Sequence, residues 1–225
     1  MHLREVGLTV TGLAAAARFY QDVLELPVAE QPGQVTVTIG SSRLVLREGD
    51  HFAGVHHLAI GIAPADFEVA RSWLSQRVEP IAVDGSEVIE GPEGWNSRSL
   101  YFLGPEDIVL ELIARDADLS APAGDGQVPR PLSLSEVGIG VPSVTEAVRA
   151  LTCELGLPTF PPQGAQFAPV GDHDGLIILV EQNRSWFPTT AQQAARGPVT
   201  VKLAGSQAGR LSLRESATVV AVVTT

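Results

Sequence analysis

The chain repeats itself. Residues 5–28, EVGLTVTGLAAAARFYQDVLELPV, and residues 136–159, EVGIGVPSVTEAVRALTCELGLPT, align without a gap and are identical at nine of 24 positions, among them Glu5/Glu136, Gly7/Gly138, Arg18/Arg149 and Pro27/Pro158. Self-similarity over this length marks one supersecondary unit stated more than once, and it narrows the available folds before any local reading begins.

Each copy reads as an alternating strand, a turn and an amphipathic helix. In the first helix Leu13, Ala16, Ala17, Tyr20 and Leu24 follow helical spacing. In the later copy Ser143 and Glu146 form a capping box, and Val144, Ala147, Val148, Leu151 and Leu155 make the apolar stripe. A weaker third copy begins at GVHHLAIGIAPADFEVARSWL (54–74): a strand over 55–62, then a helix opened by Pro64 with Phe67, Ala70, Trp73 and Leu74 on its inner face. Short strand-like runs follow every helix: QVTVTI and RLVLRE, SLYFL and DIVLELIA, QFAPV and GLIILVE.

The result is an α+β chain with a βαβββ unit near residues 3–48, 55–115 and 132–182. Residues 116–131, rich in Pro, Gly, Asp and Ala, read as a linker, and the tail from Gly197 holds strand patterns (VTVKLA, RLSLRE, TVVAVV) without a helix. Duplication of a two-unit domain is the simplest account. Residues 1–115 are then one complete pair, and 132–225 a degenerate second domain of one full module plus extra strands.

Charge limits the partners. The net charge is −11 and Lys202 is the single lysine, so no basic cluster is available for nucleic acid. One cysteine, Cys153, rules out an internal disulfide and fits a reducing cytoplasm; its place in an apolar helical pattern reads as a buried, inert thiol. The N-terminal segment has no long apolar run of the signal-peptide kind, and no segment is long enough to span a membrane. Asp172-His173-Asp174-Gly175, between two apolar runs, reads as a hairpin turn.

Strand parity selects candidate site residues. In 55–62, Leu58, Ile60 and Ile62 form the large aliphatic face that packs under a helix, leaving His57, Ala59 and Gly61 opposite. The same division gives Glu5, Gly7 and Thr9 in the first unit and Glu136, Gly138 and Gly140 in the third. Small residues beside a ligand-type side chain make a cavity wall. His56 falls on the other face, near the strand end, where a solvated or capping role is expected. Glu111 interrupts the aliphatic run DIVLELIA, and a carboxylate in such a wall requires a partner, a proton or a cation. In the long 85–102 loop, Trp95, Asn96 and Arg98 are candidates for a lid or substrate wall, and parity turns one of Tyr101 and Phe102 inward. The aromatic, proline-containing segment NRSWFPT (183–189) is expected to pack across the junction between domains.

The βαβββ unit with FYQDVLEL (19–26) after its helix and YFLGPEDIVLELIAR (101–115) as its closing hairpin resembles the vicinal oxygen chelate superfamily. That group includes glyoxalase I, extradiol dioxygenases, bleomycin- and fosfomycin-resistance proteins and methylmalonyl-CoA epimerase. The resemblance implies a glyoxalase-like fold in which paired modules form cup-shaped mixed sheets around one divalent ion. It implies ligands from first strands (Glu5, His57, Glu136) and last strands (Val45, Glu111, Leu179). On that map Glu5, His57 and Glu111 hold Fe, Mn, Zn, Ni or Co, with Glu5 or Glu111 doubling as a general base. The second cup, with Glu136 alone, binds no metal. The implied function is a metal-dependent dioxygenase or lyase/isomerase acting on a small vicinal-oxygen or aromatic diol-type substrate. The competing expectation is a metal-free small-molecule binder of the bleomycin-resistance type, and a homodimer is compatible with either.

Overall fold

In the computed structural model, which describes residues 1–195 and 197–223, the repeats become four strand modules, three of them with a helix. The first comprises β1 (His2–Val10), α1 (Leu13–Arg18) running into a π-helical turn at Phe19–Val23, β2 (Val28–Gln31), β3 (Gln34–Ile39) and β4 (Ser42–Glu48). The second comprises β5 (His57–Ile62), a 3-10 turn at Pro64–Asp66, α2 (Phe67–Ser75), β6 (Pro80–Ile81), β7 (Ile89–Glu90), β8 (Ser97–Leu103) and β9 (Val109–Arg115). The third has β10 (Pro131–Val141), α3 (Val144–Leu155), β11 (Phe167–Asp172) and β12 (Gly175–Glu181); the fourth has only β13 (Val199–Gly205), β14 (Gly209–Leu213) and β15 (Ala217–Val223).

Within every module the first and last strands are parallel neighbours: β1 with β4, β5 with β9, β10 with β12 and β13 with β15. Modules then join through antiparallel pairing of their first strands, β1 to β13 and β5 to β10. One sheet runs β14-β15-β13-β1-β4-β3-β2, the other β11-β12-β10-β5-β9-β8-β6 with β7 added on β8.

This pairing does not follow the division expected at 116–131. The first module shares a sheet with the C-terminal strands, and the second with the third. Segment similarity shows which units are alike, whereas the connections decide which lie side by side. The stretch after β9 is held close to α2, because Asp66 Oδ2 accepts from Gly124 N at 2.8 Å and from Arg130 N at 2.9 Å. The chain therefore re-enters as β10 directly beside β5.

The large aliphatic faces, Val6, Leu8 and Val10 on β1 and Leu58, Ile60 and Ile62 on β5, meet the helices in one core. Burial of side chains of this size stabilises by roughly 1.5–3 kcal/mol each. The expected N-cap is present on α3, where Ser143 Oγ accepts from Glu146 N at 3.3 Å; Gly156, at φ +63°, ends the helix. Asp172 to Gly175 forms the β11–β12 turn. Cys153 departs from expectation and is exposed, because two residues along a helix from Leu151 is nearly the opposite face. No described helix is long and apolar enough to cross a membrane.

A second apolar cluster lies on the far face of the β5–β10 sheet: Trp95, Val109, Leu176, Ile178, Val180, Trp186 and Ala194. That sheet is therefore covered on both faces, and the polar residues within it need an explanation.

Candidate functional site

Register places two carboxylates on one rung. Ala59 of β5 pairs with Glu111 on β9 and with Glu136 on β10, so the two glutamates flank a methyl group. His57 precedes Ala59 by two residues and shares its face. Its Nε2 lies 3.5 Å from Glu111 Oε2 and 3.8 Å from Glu136 Oε2. All three side chains are buried. They line a cavity of about 390 Å³ walled by Trp95, Tyr101, Phe167, Trp186 and Phe187.

Each member is oriented by a neighbour. His57 Nδ1 is 3.2 Å from the Val109 carbonyl, so it carries the hydrogen and leaves the Nε2 lone pair toward the glutamates. Ser99 Oγ donates to Glu111 Oε1 at 2.5 Å. Arg115 donates to Glu136 Oε1 through NH2 and to Ser135 Oγ through Nε at 3.1 Å, and its guanidinium sits 5.2 Å from the Trp95 ring centroid. Gly138 makes room for the aromatic wall: a Cβ there would lie 2.5 Å from Trp186 Cη2 and 2.9 Å from His57 Cβ. Trp186 is anchored by its Nε1 donating to Val55 O at 2.9 Å, and its ring centroid is 5.4 Å from that of His57.

Burial beside the Glu136 charge pushes the Glu111 carboxyl up to about 7, against the opposing pull of His57, Ser99 and Arg115. Burial alone would lower the His57 pKa, but the closeness of Glu136 and the charges of Glu111 and Glu136 outweigh that and raise it. Burial, followed by the same two charges, raises the Tyr101 hydroxyl. The cluster thus retains a proton near neutrality that a cation would displace.

The donor set fits a divalent ion. One imidazole nitrogen and two carboxylates have ligand atoms within 4.8 Å of one another. Bonds of about 2.0–2.2 Å to a shared ion bring ligand atoms within about 4.4 Å of each other, and the two His–Glu separations of 3.5 and 3.8 Å already meet that limit. Such a set suits Fe, Mn, Zn, Co or Ni.

His57 and Glu111 come together as the resemblance implies; Glu5 does not join them. It lies on β1 in the other sheet, where Lys202 Nζ approaches one oxygen at 2.7 Å and Arg43 NH2 the other at 3.2 Å. The third member is Glu136, expected to stand alone. Both changes follow from module pairing, since β10 rather than β1 neighbours β5. The fourth, last-strand position is Ile178, which pairs with Gly138 and lines the cavity; Leu179 is one residue out of register and faces the core. In the other sheet the rung equivalent to Glu111–Ala59–Glu136 is Val45–Gly7–Thr200, which offers no pair of carboxylates.

Of the loop candidates, Trp95 and Tyr101 line the cavity and Phe102 turns into the core. Arg98 points the other way, lying 4.3 Å from the Phe67 ring centroid and pairing with Glu68 at 3.5 Å. Asn96 occupies a turn at φ +47° and uses its carbonyl to accept from Asp116 N. His56 is buried with its ring against Phe52, neither solvated nor capping. Arg115 was legible in outline: alternation from Glu111 through Ile113 puts it on the same face, at the end of an aliphatic strand where a cation needs a carboxylate.

No family model and no curated protein matches the chain. Solved structures do. A protein from Bacillus subtilis subsp. subtilis str. 168 presumed to be a dioxygenase superposes with a TM-score of 0.63 over 98% of this chain and 85% of its own, at 12% identity. Glyoxalase I from Zea mays superposes with a TM-score of 0.58 over 99% of this chain and 92% of its own, at 15% identity. The chain has the vicinal oxygen chelate fold, with similarity to glyoxalase-like structures along its whole length.

Proposed function

We propose that this protein is a divalent-metal-dependent enzyme whose centre is His57, Glu111 and Glu136, acting on a small aromatic substrate with neighbouring oxygen atoms. The observation that carries the reading is the convergence of these three buried side chains on the floor of an aromatic-walled cavity. The chain has only 12 aromatic residues (3 Trp, 2 Tyr, 7 Phe), and five of them, Trp95, Tyr101, Phe167, Trp186 and Phe187, line this space. Such walls favour a flat, partly apolar ligand. The reaction class is a dioxygenase or a lyase/isomerase.

A bound divalent ion would supply Lewis acidity toward two neighbouring substrate oxygens. The chain's own groups have separable tasks. His57 presents Nε2 because Val109 fixes its tautomer. Glu136 is paired with the buried Arg115. Glu111, where displaced from the ion, would be the carboxylate placed to accept or return a substrate proton. Trp95 and Trp186 exclude water from the floor.

A second reading has its own observation. Arg115 balances one carboxylate and a proton shared by His57 and Glu111 balances the other, so the cavity is electrically closed without a cation and could serve as a metal-free binding cup. The two readings separate by titrating catechol against tryptophan fluorescence, with and without Mn or Zn. The enzyme reading expects catechol binding to tighten at least tenfold with metal and to lose that gain in Glu111→Ala. Binding that ignores both metal and Glu111→Ala favours the cup.

A further inference from the structure

His56, just before β5, and His57, its first residue, face opposite sides, and the side away from Glu111 holds a second cavity of about 460 Å³. It is enclosed by the end of β1, the helical turn carrying Tyr20, and three chain crossings at 51–56, 105–108 and 191–193. Its apolar surface includes Leu8, Val10, Leu46 and Ile108.

Two buried polar side chains stand in that wall. Tyr20 is 1% exposed and His56 6%, and His56 Nε2 meets no hydrogen-bonding partner among the described residues. Burial is the one influence on the Tyr20 phenol, and pushes its pKa up. Buried polar groups are normally paired, so the unpartnered His56 Nε2 beside the buried Tyr20 phenol on one cavity wall calls for a ligand that pairs it. The rim carries Glu106 and Asp107 and no lysine or arginine among the described residues, which disfavours an anion. Glu106 is already engaged, its Oε1 accepting from Thr11 N, Thr11 Oγ1 and Gly12 N at 2.7–2.8 Å; it braces the rim.

We propose that this cavity is a second small-molecule site, separate from the His57 centre, for an uncharged ring compound carrying a hydroxyl group that hydrogen-bonds with His56 and Tyr20. A neutral imidazole offers one donor and one acceptor and a phenol offers both, so a single hydroxyl can satisfy each. The volume lies within the range of small-molecule pockets.

The test is an NMR titration of the full chain, labelled at its histidine, tyrosine and tryptophan rings, with phenol and with benzoate as the anionic comparator. Phenol is expected to move the His56 and Tyr20 signals saturably, and benzoate to leave them in place. Tyr20→Phe and His56→Phe, each checked for native circular dichroism, should weaken phenol binding there about fivefold, the size of one net hydrogen bond. If His56→Phe fails to fold, Tyr20→Phe carries the comparison. Phenol shifts confined to Trp95 and Trp186, or variants that bind phenol as the parent does, would overturn the site. Benzoate binding as tightly as phenol would overturn the uncharged class.

Discussion

Glu111 and Glu136 flank the methyl group of Ala59 from opposite sides, on strands contributed by different modules. Neither module holds the pair alone. The carboxylates meet because the first strands of modules two and three run antiparallel, with a register shift between Leu134 and Glu136 that sets Glu136 opposite Ala59, and His57 reaches both from two residues along the middle strand.

Glu5 and Glu136 occupy the same position of the repeat and should behave differently. Glu136→Gln is expected to weaken Zn or Mn binding by about a hundredfold or more, since it removes a ligand. Glu5→Gln should leave metal affinity unchanged and alter stability by no more than about 1 kcal/mol, because Arg43 and Lys202 are both largely exposed. Calorimetric titration of the two variants checks this; equal losses would place Glu5 in the centre after all.

Gly138→Ala tests the packing of the wall. The added methyl would fall on Trp186 and on His57 Cβ, and overpacking of this kind costs about 1–3 kcal/mol. A lower melting temperature with a shifted Trp186 emission is expected. Gly85→Ala, at φ +81° with open space around its Cβ position, is the control for backbone strain without a clash.

The pH dependence has a definite sign. Glu111, with its carboxyl raised from 4.5 to about 7, and His57, also raised, bind protons more tightly folded than unfolded. Their contribution to the stability of the metal-free protein is full below the unfolded values and is lost as pH rises through the folded ones, that is, through about 7 for Glu111. A metal competes with those protons. The rise in melting temperature on adding Zn should therefore be larger at pH 8 than at pH 6; a rise that shrinks with pH would contradict the cluster.

Arg115→Met removes the buried partner of Glu136. Breaking a buried pair from one side costs about 3–5 kcal/mol, and Arg115 is 1% exposed. A bound cation can take over the neutralisation, so the metal-induced stabilisation should be greater in Arg115→Met than in the parent, as read from paired thermal melts. Equal stabilisation would mean that Arg115 has no electrostatic bearing on the centre.

Much of this arrangement was legible in the sequence, and the remainder turned on module pairing, strand register and a loop without a period. The repeat of Glu5–Val28 and Glu136–Thr159 yielded the module, Ser143 marked the start of α3, and alternation put His57 on the cavity face and His56 on the other. Module pairing was not legible, because identity between segments carries no information on which strands become neighbours. That gap moved Glu5 out of the centre and Glu136 into it. A one-residue difference in register separated Leu179 from Ile178, and strand parity makes any such slip a change of face. Trp186 reaches the site from a loop after the last repeat strand, where no periodicity constrains a side chain.

The most direct test of the central claim is the metal content of the reconstituted, desalted full chain, measured by elemental analysis beside its Glu111→Gln variant. The account predicts about one divalent ion per chain in the parent and a small fraction of that in the variant. A parent that retains no ion, or a variant that retains as much as the parent, would contradict a metal centre at His57, Glu111 and Glu136.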